Sequence, residues 1–408
     1  MKTLSYLSIT AALLIFLSAG CSQDKMIPGP VEGKPVNLSP RIAAQTSDFA
    51  FDLLRRLDNS EAASDNIFVS PLSLHIALGM LLNGAEAETR AGILKALKAE
   101  ESSVAELNQA YRTLLKEMPE ADSKVNLSIA NSMWYRQGFS VKQSFPQVLA
   151  EIFDAQIYGE PFDDSTVKKI NQWASDHTRE KIRKVIDQIQ GDMVMFLMNA
   201  LYFKGDWKYT FDKKQTQDWN FQLANGADKK VKMMFAESDF RSYTNDDFTA
   251  VELPYSSGQF NLTLFVPQAG KNLNAVLQNF DHAKWNAVQA GLAAGTVKVG
   301  LPKFTLEYEI QLKKVLSDMG MSKAFGSSAE LNGISDDGRL SVGFVKQNTF
   351  LGIDEEGTEA AAVTTIGIVL TSVGPGSPKT VIADRPFFFV ISEKTSDTVL
   401  FTGRIVNP

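Results

Sequence analysis

Hydrophobic positions fall into three regimes along the chain. In residues 1–20 a lysine is followed by an apolar run centred on Ala11–Leu17 and then by small residues up to Cys21. This is the pattern of a secretory leader, and with its flanks it is too short to span a bilayer. Residues 21–40 reverse the balance. Pro28, Gly29, Pro30, Gly33, Pro35 and Pro40 crowd a stretch with few apolar side chains, which predicts a flexible tether. From Arg41 to the end, helical and strand periodicities interleave with no proline- or glycine-rich break, no repeat and no low-complexity tract. Length alone would allow two domains, but the unbroken interleaving predicts one α+β domain over 41–408.

Within that domain, Ile42, Phe49, Leu53 and Leu57 recur at helical spacing, and Asn59 and Ser60 close the helix they predict. Asn66–Ser73 gives a short apolar strand that runs into a second helix, with Pro71 in its first turn, where a missing N–H costs little. Leu74, Ala77, Leu78 and Leu81 make that second helix apolar nearly all round, so it belongs inside the core.

One stretch has strand chemistry and loop flanks. From Gly357 to Leu370, Glu359 is the only charge. Thr358, Ala360, Ala362, Thr364, Ile366, Ile368 and Leu370 would share one face of a strand, all small or apolar; Ala361 and Val363 follow Glu359 on the other. Such two-faced, β-branched composition suits the middle of a covered sheet. Yet Glu355 and Glu356 precede it, and Gly374, Pro375, Gly376, Ser377 and Pro378 follow, a cluster that breaks any strand. Two readings stay open: a strand leading into a surface loop, or a loop that is exposed first and becomes a strand later.

Charge and candidate chemistry narrow the function classes. The net charge is −6, and the basic cluster Lys168, Lys169, Arg179, Lys181, Arg183 and Lys184 is offset by Asp163, Asp164, Asp176 and Glu180. That is a solvated surface rather than a nucleic-acid or glycosaminoglycan face. The only histidines are His75, His177 and His282; no Gly-x-Ser-x-Gly elbow and no metal-spaced cluster occurs. No catalytic residue, metal or cofactor is expected, and the chain is read as not an enzyme. Cys21 is the only cysteine, which excludes an intramolecular disulfide. Leu17-Ser18-Ala19-Gly20-Cys21 resembles a bacterial lipobox, with Ser18 where leucine is usual. The resemblance implies lipidation at Cys21, and Ser22 after it implies the outer membrane. The domain would then sit at the cell surface or on the periplasmic face. The alternative is an incidental cysteine at a conventional cleavage site.

Glu-Glu-Gly-Thr-Glu-Ala-Ala-Ala, residues 355–362, resembles the hinge of the reactive-centre loop of serpins, inhibitors that trap serine proteases. Further serpin-like strings follow in order: Asn66–Ser73 with Leu81–Ala85 and Thr89, Ala130–Tyr135, Ile170–Ala174, Met198–Trp207, Glu252–Tyr255, Leu301–Phe304, Leu316–Phe325 and Phe401–Pro408. The resemblance covers 41–408. It implies three β-sheets with eight to nine helices and an exposed reactive loop. The target protease would cleave that loop and form an acyl-enzyme, and the freed hinge would insert into the large sheet. Serine proteases, held covalently, are therefore the implied partners, and cysteine proteases could be trapped similarly. The chain is expected to be a monomer.

Carried over residue by residue, the resemblance makes Glu356, Gly357, Thr358, Glu359, Ala360, Ala361 and Ala362 the hinge. The fourteenth residue after the hinge glycine makes Thr371-Ser372 the reactive bond, with Val369 and Leu370 as rivals because the loop is slightly long. These residues suit elastase-, subtilisin- or chymotrypsin-like pockets, and the first basic residue, Lys379, lies beyond both loop prolines. Ser70, Ser73 and Asn199 match polar residues under the sheet, Gln347 stands where a histidine is common, and Trp207 matches the tryptophan where insertion begins. From Gly357 to Thr371, at about 3.3 Å per residue, the inserted strand would be roughly 50 Å long. A non-inhibitory serpin acting as a binding or carrier protein is the alternative, although Thr358–Val363 carries none of the bulky residues, extra charges or prolines expected of one.

Overall fold

A computed structural model describes residues 32–337, 340–358 and 378–408. Six strands form one sheet. In spatial order they are β10 (Phe304–Gln311), β11 (Lys346–Ile353), β12 (Gly357–Thr358), β4 (Met195–Asp206), β2 (Val125–Arg136) and β3 (Gln156–Glu160). All neighbours are antiparallel except β2 and β3. The other strands form a nine-stranded network in two parts. One part runs β1 (Ile67–Val69), β15 (Val399–Ile405), β14 (Phe387–Glu393), β8 (Phe260–Pro267), β7 (Phe248–Pro254). The other groups β5 (Gln217–Gln222), β6 (Asp228–Thr244), β9 (Ala293–Pro302) and β13 (Lys379–Ile382). They meet at the far end of β6, which is 17 residues long and, while its one edge pairs with β9, takes β7 on the other at Arg241–Thr244. The α+β fold thus has three sheets, as the resemblance implied.

Nine α-helices lie among the described residues: α1 (Pro40–Ser60), α2 (Pro71–Leu82), α3 (Ala87–Ala96), α4 (Val104–Glu117), α5 (Ser144–Phe153), α6 (Asp164–His177), α7 (Leu273–Gln278), α8 (His282–Gly291) and α9 (Lys313–Leu316). Their starts follow local chemistry. Ser39 accepts a hydrogen bond from the Ile42 N–H and Pro40 opens α1; Ser70 accepts from the Ser73 N–H and Pro71 opens α2. The Asp163 carboxylate caps α6 through the N–H groups of Ser165 and Thr166. Helix α2 buries every residue but Ala77, because β4, β15, α1 and α3 all pack on it. Helix α6 lies across β2 and β4, with Ile170, Trp173 and Ala174 packed on Trp134, Phe196 and Ala200.

The predicted tether ends earlier than expected. Residues 32–39 lie along the body: Val36 is buried, its N–H donates to the Thr395 hydroxyl at 2.8 Å, and the Lys34 N–H donates to the Ala121 carbonyl at 2.7 Å. Two apolar side chains, Val36 and Leu38, and backbone N–H groups satisfied at Lys34, Val36 and Asn37 dock a segment whose composition reads as free chain.

Candidate functional site: the hinge and the groove below it

Among the described residues, the six-stranded sheet has no full-length strand between β11 and β4. The two-residue strand β12 stands between them, with Thr358 opposite Ile353 on one side and Gly205 on the other, and Gly357 opposite Asp206. Gly357 is required here by close approach. A Cβ on it would stand 2.1 Å from the Gly205 carbonyl oxygen and 2.8 Å from the Asp206 Cα.

Around β12 the chain builds a socket. Trp207 stacks on Tyr255 with ring centroids 4.5 Å apart, and its indole N–H donates to the Asp354 carbonyl at 2.9 Å. The Trp207 backbone N–H donates to the Glu356 carbonyl at 2.8 Å. The buried Tyr255 hydroxyl lies 2.6 Å from the Thr358 hydroxyl. Two ion pairs hold the acids that precede Gly357: Glu355 with Lys303 at 2.7 Å and Glu356 with Lys213 at 2.5 Å. Burial raises the Glu355 carboxyl, but the Lys303 ammonium and the Thr216 hydroxyl outweigh it and hold the group below the usual range. Burial raises the Asp206 carboxyl, and the nearby Glu356 adds to the effect.

Below β12 the slot continues as a groove of about 1070 Å³ between β4 and β11, with α2 on one side and α6 and the segment after it on the other. Ser70, Ser73, Asn199 and Gln347 all line it, while Trp207 belongs to the socket above. Gln347 makes two buried hydrogen bonds to one backbone unit: the Ser70 N–H donates to its Oε1 and its Nε2 donates to the Ser70 carbonyl, each at 2.9 Å. The Ser70 hydroxyl donates to the Leu400 carbonyl at 2.8 Å, and the Thr349 hydroxyl donates to the Phe68 carbonyl at 2.7 Å. Strand β11 is therefore stitched to the start of α2 without a titratable group at position 347.

On the opposite wall the Asn199 Nδ2 donates to the Asn131 Oδ1, and the Asn131 Nδ2 donates to the Phe153 carbonyl, both at 2.7 Å. The buried Oδ1 of Asn199 is left without a hydrogen-bond partner. The remaining expected positions, Glu359, Ala360, Ala361, Ala362, Val369, Leu370, Thr371, Ser372 and Cys21, lie outside the described residues. Sequence reasoning assigned no role to Tyr255, Asn131 or Lys303, although all three lie inside the strings quoted above.

Three sheets and nine helices among the described residues, with the short strand β12 set between β11 and β4, define the serpin architecture. Residues 44–408 match the family model described as Serpin (serine protease inhibitor), and the chain belongs to that family. Among curated relatives, "Iris" of Ixodes ricinus is 33% identical over 367 residues, covering 88% of this chain and 97% of that protein. "Serpin I2" of Homo sapiens is 29% identical, covering 90% and 91%. Among solved structures, the thermophilic serpin Tengpin in its native state superposes with a TM-score of 0.83 at 30% identity, covering 93% of this chain and 97% of that one. Tengpin in its latent state gives 0.79 at 28% identity, covering 92% and 100%.

Proposed function

We propose that this serpin is an irreversible suicide-substrate inhibitor of serine endopeptidases of the elastase or subtilisin type, with chymotrypsin-like and cysteine proteases as further candidates. The observation that carries the reading is the seated hinge above an open groove. Thr358 already pairs on both sides and Gly357 pairs with β4, and among the described residues no strand lies between β4 and β11 below them. Continued along the same register, six residues beyond Thr358 is Thr364; six residues back along β4 and β11 are Asn199 and Gln347. A threonine hydroxyl arriving there would meet the orphaned Asn199 Oδ1. Cleavage after Thr371, or at the rival positions Val369 and Leu370, would free the loop to enter while the protease is still held as an acyl-enzyme. Lipid attachment at Cys21 would tether the inhibitor to the outer membrane and place its targets outside the cytoplasm.

The test is to incubate the full chain, purified in detergent, with a neutrophil-type elastase and with a subtilisin. A complex stable in denaturing gels is expected, with a released C-terminal peptide that begins at Ser372. A peptide beginning at Leu370 or Thr371 keeps the mechanism and moves the bond. Clean cleavage by fully active protease, with no stable complex, refutes the inhibitor reading in favour of a binding or carrier serpin.

A further inference from the structure

The methionines of this chain divide sharply by position. Ten of its twelve lie in the described residues. Met80, Met118, Met133, Met233, Met234, Met319 and Met321 are at most 2% exposed. Met193, Met195 and Met198 are half-buried instead, and all three line the groove between β4 and β11. Met193 and Met198 pack on the cluster under α6, and Met195 packs on the main core. The three therefore stand on β4 or just before it, on both faces of the wall along which an entering strand would run.

We propose that Met193, Met195 and Met198 form an oxidation site that governs insertion into the groove, the oxidant being a peroxide. The thioether sulfur attacks one peroxide oxygen, the O–O bond breaks, and the sulfoxide forms with release of water when the oxidant is hydrogen peroxide. Thioethers packed against apolar neighbours at the groove wall then become strong, dipolar acceptors. In the open groove a sulfoxide oxygen stays in contact with water. A strand filling the slot strips that water away while its own N–H groups are committed to the ladders of β4 and β11; continued along the register above, Ile368 falls opposite Met195, where no side-chain donor is on offer. Oxidation thus leaves the open state nearly unchanged and penalises the filled one. Slower insertion lets the acyl-enzyme hydrolyse first, and the chain becomes a substrate. The seven deeply buried methionines are protected by the same packing that excludes water.

This inference rests on the insertion reading above, and its test separates the two. The full chain is treated with graded hydrogen peroxide, and each methionine is followed by peptide mass spectrometry. Two quantities are then read: the ratio of cleaved chain to stable protease complex, and the gain in heat stability when any protease nicks the loop. Sulfoxide is expected first at Met193, Met195 and Met198, with the cleaved-to-complex ratio rising about tenfold and the heat-stability gain shrinking, as expected for one buried acceptor left unpaired. A chain carrying Met193→Leu, Met195→Leu and Met198→Leu, changes that preserve volume, should show the same ratio before and after peroxide. The inference is overturned if buried methionines oxidise first, if the three sulfoxides change neither readout, or if the leucine variant responds as strongly. If the untreated chain forms no complex, inhibition fails as a function, yet the heat-stability gain still reports insertion. A gain that shrinks on oxidation supports the site, and no gain at all overturns it.

Discussion

Changing Gln347 to glutamate keeps shape and volume while removing one donor. The Oε1 position still accepts from the Ser70 N–H, but the second oxygen now faces the Ser70 carbonyl at the 2.9 Å where Nε2 donated. An unpaired buried carbonyl costs about 1–3 kcal/mol, and confronting it with a carboxylate puts the total near the upper end. At 1.36 kcal/mol per unit, about 3 kcal/mol corresponds to a carboxyl raised from its ordinary value near 4.3 to about 6.5. The acid form, which can donate to the Ser70 carbonyl, is the one the fold prefers. The loss of stability relative to the parent is therefore absent below about pH 4, grows as pH rises towards about 6.5, and is complete above that. The assay is the urea midpoint of the first unfolding transition for the parent, Gln347→Glu and Gln347→Ala between roughly pH 4 and 8. The alanine variant should be weaker than the parent by a constant amount, while the glutamate variant should converge on the parent in acid. A parent-to-glutamate difference that is flat across this range would show that Gln347 does not bridge Ser70 and would refute the joint.

Two further outcomes follow from the geometry. Gly357→Ala would force a Cβ against the Gly205 carbonyl and so unseat β12; denaturing gels should show more cleaved chain and less protease complex, and an unchanged ratio would mean that seating is irrelevant to trapping. His75 is fully buried, and burial lowers its imidazole to about 4 despite a backbone contact with the Leu97 carbonyl. The unfolded chain takes up a proton near pH 6.5 and the fold only near 4, so stability is lost as pH falls between them, by up to about 3 kcal/mol. His75→Phe should flatten that acid limb in thermal melts, since the Tyr111 hydroxyl keeps the backbone carbonyl of residue 75 as an acceptor.

The sequence by itself determined what depends on neighbours along the chain. Helix starts at Ser39-Pro40 and Ser70-Pro71, the nearly all-apolar α2, and the low bulk of the hinge were legible because caps, prolines and periodicity act within a few residues. The ordered collinear strings extended that reading to the serpin fold. What only the tertiary structure decided is how distant segments meet. Gln347 faces Ser70 across 277 positions, and Tyr255 meets Thr358 across 103. No local pattern encodes which backbone unit an amide will bridge, or that a glycine is needed because another strand's carbonyl lies 2.1 Å from its missing Cβ. The docked Val36 and the three groove methionines have the same cause. Their sequence context is unremarkable, and their exposure is set by whichever remote surfaces the fold brings beside them.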